Sequence, residues 1–121
     1  MPELKRINVV FLYAADMERM RAFYEETVGF GEPCRVTDDW VEYALGEGAR
    51  FALHRAMPGF HGGGRGAVQF SIAVDDLDGA CRELETAGVT ILRPPEYGPG
   101  FRLAEFEDPE GNPIRLIEFE A

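Results

Sequence analysis

The chain is short of cysteine, serine and histidine. Of its 121 residues, two are cysteines, Cys34 and Cys81, and two are histidines. The cysteines lack CxxC spacing, so they indicate neither a disulfide framework nor a zinc or redox site. We expect them to be small buried residues in a reduced, cytoplasmic protein. Ser71 is the single serine, which leaves a serine-nucleophile triad only one candidate, inside a predicted strand.

Positive charge and long apolar runs are also scarce. The chain has 12 Lys and Arg against 22 Asp and Glu, a net charge of −10. Phosphate binding needs clustered cations, so we expect neither a nucleic acid nor an anionic membrane as partner. The longest apolar run, 9–15, has about seven residues, whereas a membrane helix needs about 20. The first residues lack the pattern of a secretion signal.

What the sequence does contain is one pattern that occurs twice. Ile7–Tyr13 and Ala67–Val74 are rich in β-branched and aromatic residues, which predicts a strand in each half. Aspartates suited to cap a helix follow each strand, and an amphipathic segment comes next, Met17–Val28 in the first half. A glycine ends each segment, at Gly29 and Gly88. The two halves therefore repeat one strand–helix unit.

Three short strands are predicted after each helix, with hairpin turns that contain glycine. These strands are Gly31–Thr37, Asp39–Leu45 and Ala49–Arg55 in the first half, and Val89–Arg93, Phe101–Glu107 and Asn112–Phe119 in the second. The fold class is therefore α+β, with two tandem βαβββ modules. We predict a single domain, 1–121, with module one at 5–56, a mobile Gly-rich linker at 57–66 and module two at 67–121.

Three motifs resemble those of the vicinal oxygen chelate superfamily, which includes glyoxalase I, extradiol dioxygenases, and fosfomycin and bleomycin resistance proteins. Phe23–Phe30 resembles its F-Y-x-x-x-L-G-F segment, Val74–Leu77 its V-D-D-L helix entry, and Asp108–Leu116 its D-P-x-G-N-x-x-x-L signature. The resemblance covers nearly the whole chain in the expected order. It implies that curved mixed sheets of the two modules enclose a cleft, usually in a homodimer.

Members with metal chemistry take their ligands from four equivalent strand positions. By the resemblance these positions are Val9, Ala52, Gln69 and Arg115 here. Valine and alanine have no donor atom, glutamine is a weak neutral donor, and arginine is a permanent cation. We therefore predict no metal and no cofactor.

Strand alternation from these four positions predicts the side chains that line the cleft. Ala52 brings His54 to the same side, and the predicted hairpin register places Tyr43 opposite Ala52, with Trp40 on the other side of the sheet. The predicted ligand-binding residues are Phe11, Tyr13, Tyr43, His54, Gln69 and Arg115. Such a lining, aromatic and apolar with a few polar groups, is typical of a small-molecule pocket.

Each polar candidate also has a structural interpretation. Arg115 either contacts an anionic ligand group or pairs with a carboxylate such as Glu105 or Glu118. His54 is either a general base or a histidine whose hydrogen bonds are satisfied.

Two further features lie near the predicted cleft or in its turns. Tyr97 is predicted on a loop that overhangs the cleft. An acidic group is predicted to be a solvated hairpin end rather than a cation site, because Pro109 and Gly111 make it a turn. Its members are Glu105, Glu107, Asp108 and Glu110.

The sequence leaves three functions open. The prediction is a metal-free, homodimeric protein that binds a drug or metabolite, like the bleomycin resistance branch. The first alternative is a metal-independent lyase, isomerase or epimerase that uses His54, Tyr43 or Glu42 as acid or base. The second is an enzyme with rearranged metal ligands, such as His54 and Gln69 with a glutamate.

Overall fold

The structure is a computed structural model that describes residues 3, 7–56, 68 and 70–120. The chain divides into two compact units, Met1–Gly62 and Gly63–Ala121. The predicted linker and Gln69 lie outside the described residues, and the predicted domain and module bounds stay a prediction. Among the described residues, no helix has the length and apolar character to cross a membrane.

Unit 1 consists of one helix and a four-stranded mixed sheet. Its elements are β1 (Val9–Ala14), α1 (Met17–Ala22), a π-helical turn (Phe23–Val28), β2 (Arg35–Val36), β3 (Trp40–Tyr43) and β4 (Arg50–Arg55). The strand order is β1-β4-β3-β2, with β1 parallel to β4 and the other pairs antiparallel. The π-helical turn follows α1 without a break, and together they form one helix that ends at Gly29, whose φ is +96°.

Unit 2 repeats this arrangement. Its elements are β5 (Ser71–Ala73), α2 (Leu77–Thr86), β6 (Ile91–Gly98), β7 (Phe101–Glu107) and β8 (Pro113–Phe119). The order β5-β8-β7-β6, with β5 parallel to β8, matches that of unit 1. Two βαβββ units with the same strand order confirm the predicted α+β fold class.

Aspartates begin both helices, as predicted. The Asp16 carboxylate accepts a hydrogen bond from the Arg19 backbone N–H at 3.1 Å, and the Asp76 carboxylate accepts one from Gly79 at 3.0 Å. Each bond satisfies a backbone donor that has no partner within the helix. The repeated strand–Asp–helix pattern therefore has the same physical basis in both units.

The core of unit 1 lies between the helix and one side of the sheet. Met20 and Tyr24 from the helix are buried, as are Phe51 and Leu53 from β4. The Tyr24 and Phe51 ring centroids are 4.9 Å apart. Burial of each large apolar side chain contributes about 1.5–3 kcal/mol, so this layer is the main stabilising contact of the unit.

The predicted register of β3 against β4 is wrong by one residue. In the structure Trp40 pairs with His54, and Glu42, not Tyr43, pairs with Ala52. A one-residue slip moves every side chain of a strand to the other side of the sheet. Tyr43 therefore packs in the core with 0% exposure, and Trp40 and Glu42 lie on the side away from the helix.

A part-buried hydrogen bond between Tyr43 and Glu25 accompanies this register. The Tyr43 hydroxyl donates to Glu25 Oε2 at 2.7 Å, and Arg21 Nε donates to the same oxygen at 2.7 Å. Burial alone would raise the pKa of Glu25, but the bonds from Arg21 and Tyr43 lower it below its usual value. Burial, and then the nearby Glu25 carboxylate, raises the pKa of Tyr43. Tyr43 is thus a neutral donor to an ionised carboxylate inside unit 1.

Several other expectations need correction. Cys34 is exposed, whereas Cys81 is buried as expected. Tyr97 lies in edge strand β6 rather than on a loop, because irregular pairing with β7 accommodates the preceding prolines. Asp108 is buried, not solvated, because its carboxylate accepts bonds from the Glu110 and Asn112 backbones and the Asn112 side chain.

We predict that Tyr43→Phe lowers the free energy of unfolding by about 1–2 kcal/mol, because the half-buried Glu25 carboxylate loses a donor. Urea denaturation measures this change. Tyr97→Phe is the matched control, since Tyr97 is 78% exposed, and we expect it to change stability by less than about 0.5 kcal/mol. Equal midpoints for Tyr43→Phe and the wild type would contradict the buried position of the hydroxyl.

Candidate functional site

Aromatic side chains from three strands gather on the side of the unit 1 sheet that faces away from the helix. The parallel pairing of β1 and β4 places Tyr13 beside His54 and Phe11 beside Ala52. The pairing of β3 and β4 places Trp40 on the other side of His54. We call this surface the aromatic face. Its members are Phe11, Tyr13, Trp40 and His54.

The four rings are in contact with one another. The ring centroid of Phe11 lies 5.3 Å from that of Trp40 and 5.7 Å from that of Tyr13, and Tyr13 lies 5.1 Å from His54. The rings are tilted by 51–73° in these pairs, within the range of geometries that aromatic pairs favour. The result is a continuous aromatic platform.

A small residue beneath the platform allows this contact. The strands β1 and β3 flank β4, so their backbones are about 9.5 Å apart. Phe11 and Trp40 therefore lean towards each other over β4, where Ala52 has 0% exposure. A larger side chain at position 52 would compete with the two rings for this space.

A buried carboxylate holds the Trp40 ring. Glu42, 6% exposed, accepts a hydrogen bond from Trp40 Nε1 on its Oε1 at 2.9 Å, and one from Arg50 on its Oε2 at 2.7 Å. The bonds from Arg50 and Trp40 keep the pKa of Glu42 below its usual value, although burial opposes them. An ionised carboxylate thus lies at one edge of the aromatic face and fixes the orientation of its largest ring.

Among the described residues, the imidazole of His54 makes one hydrogen bond. Its Nδ1 lies 2.7 Å from the backbone oxygen of Arg55. A carbonyl oxygen only accepts, so we assign the proton to Nδ1. In the neutral ring the lone pair is then on Nε2. His54 can accept a hydrogen bond or a proton on the aromatic face.

The structure brings together three of the six predicted ligand-binding residues, namely Phe11, Tyr13 and His54. Tyr43 is in the core, Gln69 lies outside the described residues, and Arg115 belongs to unit 2. The sequence interpretation placed Trp40 on the other side of the sheet, and it named Glu42 only as a candidate acid or base, not as a residue that holds the site together. Their signal was the apolar alternation of Val41 and Tyr43, which places the intervening residues on the opposite side of the strand.

Arg115 lies on the side of the unit 2 sheet away from α2, where it pairs across the strands with Glu105 and Ser71. A depression of about 70 Å³ there is lined by Phe70, Ser71, Glu105, Pro113 and Arg115. Of the two suggested partners, Glu118 instead accepts from the Leu77 backbone at 2.9 Å. Within the described part of the chain, the Arg115 guanidinium makes no ion pair.

Three of the four positions predicted to be equivalent to metal ligands carry side chains that do not suit a divalent metal. Val9 and Ala52 present hydrocarbon only, and the Arg115 guanidinium would repel a cation. In residues 3, 7–56, 68 and 70–120, no three His, Cys, Asp or Glu side chains form a group suited to a metal.

Residues 6–116 match the model of the Glyoxalase/Bleomycin resistance protein/Dioxygenase superfamily. The chain belongs to this superfamily. The match spans both βαβββ units, as the sequence motifs indicated.

Similar proteins come from several bacteria. A glyoxalase/bleomycin resistance protein from Streptomyces sp. CB03234 is 32% identical, with a TM-score of 0.69, over 90% of this chain and 97% of that chain. TnmS3, an antibiotic binding protein from the same organism, is 26% identical with a TM-score of 0.77, over 99% and 100% of the two chains. The uncharacterized protein YetH of Bacillus subtilis strain 168 is 26% identical, over 95% of this chain and 99% of that protein.

Proposed function

We propose that this superfamily member is a metal-free, cytoplasmic protein that binds a drug or metabolite through a planar, apolar part of the ligand resting on the aromatic face. The observation that carries the proposal is the gathering of four rings from three strands on one side of the sheet. The other side already has its own filled core, so these rings are not needed there. The antibiotic-binding relative TnmS3 supports this function.

The physical basis is stacking and apolar burial. The four side chains of the aromatic face are half-buried, and contiguous apolar surface that stays accessible commonly marks a binding site. A planar ligand on the platform would gain apolar burial and about 0.5–1.5 kcal/mol for each good ring contact. Glu42 contributes by holding Trp40 in place, so the platform is formed before the ligand arrives. A preformed site loses less conformational entropy on binding.

For unit 2 we propose that Arg115 contacts an anionic group, such as a carboxylate. The support is its guanidinium, which makes no ion pair with the described residues, beside a depression large enough for a few atoms. A planar guanidinium binds a carboxylate through two parallel hydrogen bonds. Gln69 stays a predicted ligand contact.

An enzyme of the same superfamily is the second candidate, and His54 favours it. The lone pair on Nε2 suits a general base. Tyr43 is not a candidate, because its buried hydroxyl donates to Glu25. Glu42 remains a candidate acid or base.

Binding of 1-methylindole tests the aromatic face, because this flat probe has no hydrogen-bond donor. We expect a Kd on the order of 1 mM for the wild type, and a Kd about 3–10-fold higher for Trp40→Ala, which removes the largest ring. Titration of the ¹H–¹⁵N spectrum measures both values and shows whether each variant is folded.

Tyr97→Ala is the matched control, since it removes an exposed ring from unit 2 and should leave the Kd unchanged. Phe11→Leu, which keeps an apolar side chain, provides a second variant with an expected loss in the same direction. No saturable binding by the wild type, or an equal loss in the control, would rule out the aromatic face as the site.

We also propose that the protein is a homodimer. Several large apolar side chains are exposed, which a second copy could cover. They are Ile7, Val36, Val68, Leu92, Tyr97 and Phe119. We expect light scattering at micromolar concentration to give twice the chain mass of 13.5 kDa. A mass of one chain under these conditions would show that the dimer proposal is wrong.

A further inference from the structure

We propose that the ligand of the aromatic face carries an O–H or N–H group that donates a hydrogen bond to Nε2 of His54. This inference rests on the proposed function and narrows it to one chemical class. The class comprises hydroxylated aromatics, such as phenols and naphthols, and aromatic rings with an N–H, such as indoles.

The first support is the position of His54 within the platform. Its ring centroid lies 5.1 Å from that of Tyr13, 5.9 Å from that of Phe11 and 5.9 Å from that of Trp40. A flat molecule that stacks on these rings therefore also lies against the imidazole. The Nε2 atom of His54 would then contact the bound ligand.

The second support is the assigned tautomer. The 2.7 Å contact with the Arg55 carbonyl requires a proton on Nδ1, and a neutral imidazole carries only one proton. The nitrogen that remains for the ligand is thus an acceptor. A ligand group that only accepts, such as an ether oxygen, has no partner there.

The third support is that the fixed N–H donors nearby are already committed. The indole N–H of Trp40 donates to Oε1 of Glu42, and the guanidinium of Arg50 donates to Oε2 of the same carboxylate. None of the described residues donates to His54 Nε2.

Covering the nitrogen then makes the ligand's chemistry decisive. A polar atom that is buried without a partner costs about 1–3 kcal/mol, so a ligand without a donor is penalised and one with a donor is not. Sites that hydrogen-bond a substrate group discriminate strongly against analogues that lack it. His54 would therefore set specificity, while the surrounding rings supply affinity.

Indole and 1-methylindole form a matched probe pair, because they differ only in the group on the ring nitrogen, which is N–H in indole and N–CH3 in 1-methylindole. At pH 8, we expect the wild type to bind indole about 5–20-fold more tightly than 1-methylindole. His54→Phe keeps a ring but removes Nε2, so it should lose this preference for indole. Tyr97→Phe, an aromatic change in unit 2, should retain the wild-type preference.

A second readout follows the two ring nitrogens of His54 directly. In a long-range ¹H–¹⁵N spectrum of the wild type, we expect Nδ1 of His54 as the protonated nitrogen and Nε2 as the bare one. The Nε2 resonance should move on addition of indole and much less with 1-methylindole. His54→Phe identifies which of the two histidines gives the signal.

The outcomes separate the two proposals. If neither probe binds, the proposed binding on the aromatic face fails. If both bind the wild type equally well, or if the proton is on Nε2, aromatic binding stands and the donor inference is overturned. A preference for indole that survives in His54→Phe would also overturn it.

Discussion

The pairing of β3 with β4 is the constraint on which the rest of unit 1 depends. Side chains alternate along a strand, so this register determines which residues of β3 pack against the helix and which lie on the other side of the sheet. Tyr43 donates to Glu25 from inside the core, and this bond is available only in the observed register. The consequence on the other side of the sheet is that Trp40 and Glu42 join Phe11 and His54.

The small side chain of Ala52 has two consequences. Its methyl group offers no donor atom to a metal, and it takes up little space on the side of the sheet away from the helix. That small side chain lets Phe11 and Trp40 meet above β4 with their centroids 5.3 Å apart. A carboxylate such as Glu42 is a common metal ligand, but here its two oxygens accept hydrogen bonds from Trp40 and Arg50.

Most of the fold could be predicted from the sequence, and part of the site could not. The repeated strand–Asp–helix–Gly pattern is local, so it gave the βαβββ units, and alternation along single strands gave Phe11, Tyr13 and His54. The register of the β3–β4 hairpin depends on the length of its loop and on a contact with the helix, which alternation along one strand does not contain. Tyr43 was therefore expected where Trp40 and Glu42 are found.

The most direct test of the account is a nuclear Overhauser measurement on the aromatic rings of the ligand-free protein. The account predicts contacts of the Trp40 ring protons with those of Phe11 and His54, and of the Tyr43 ring with Phe30 and Phe51. Contacts of Tyr43 with Phe11 or His54, together with a Trp40 ring against the helix, would contradict it. In that case the register, the platform and the role of Glu42 would all be wrong.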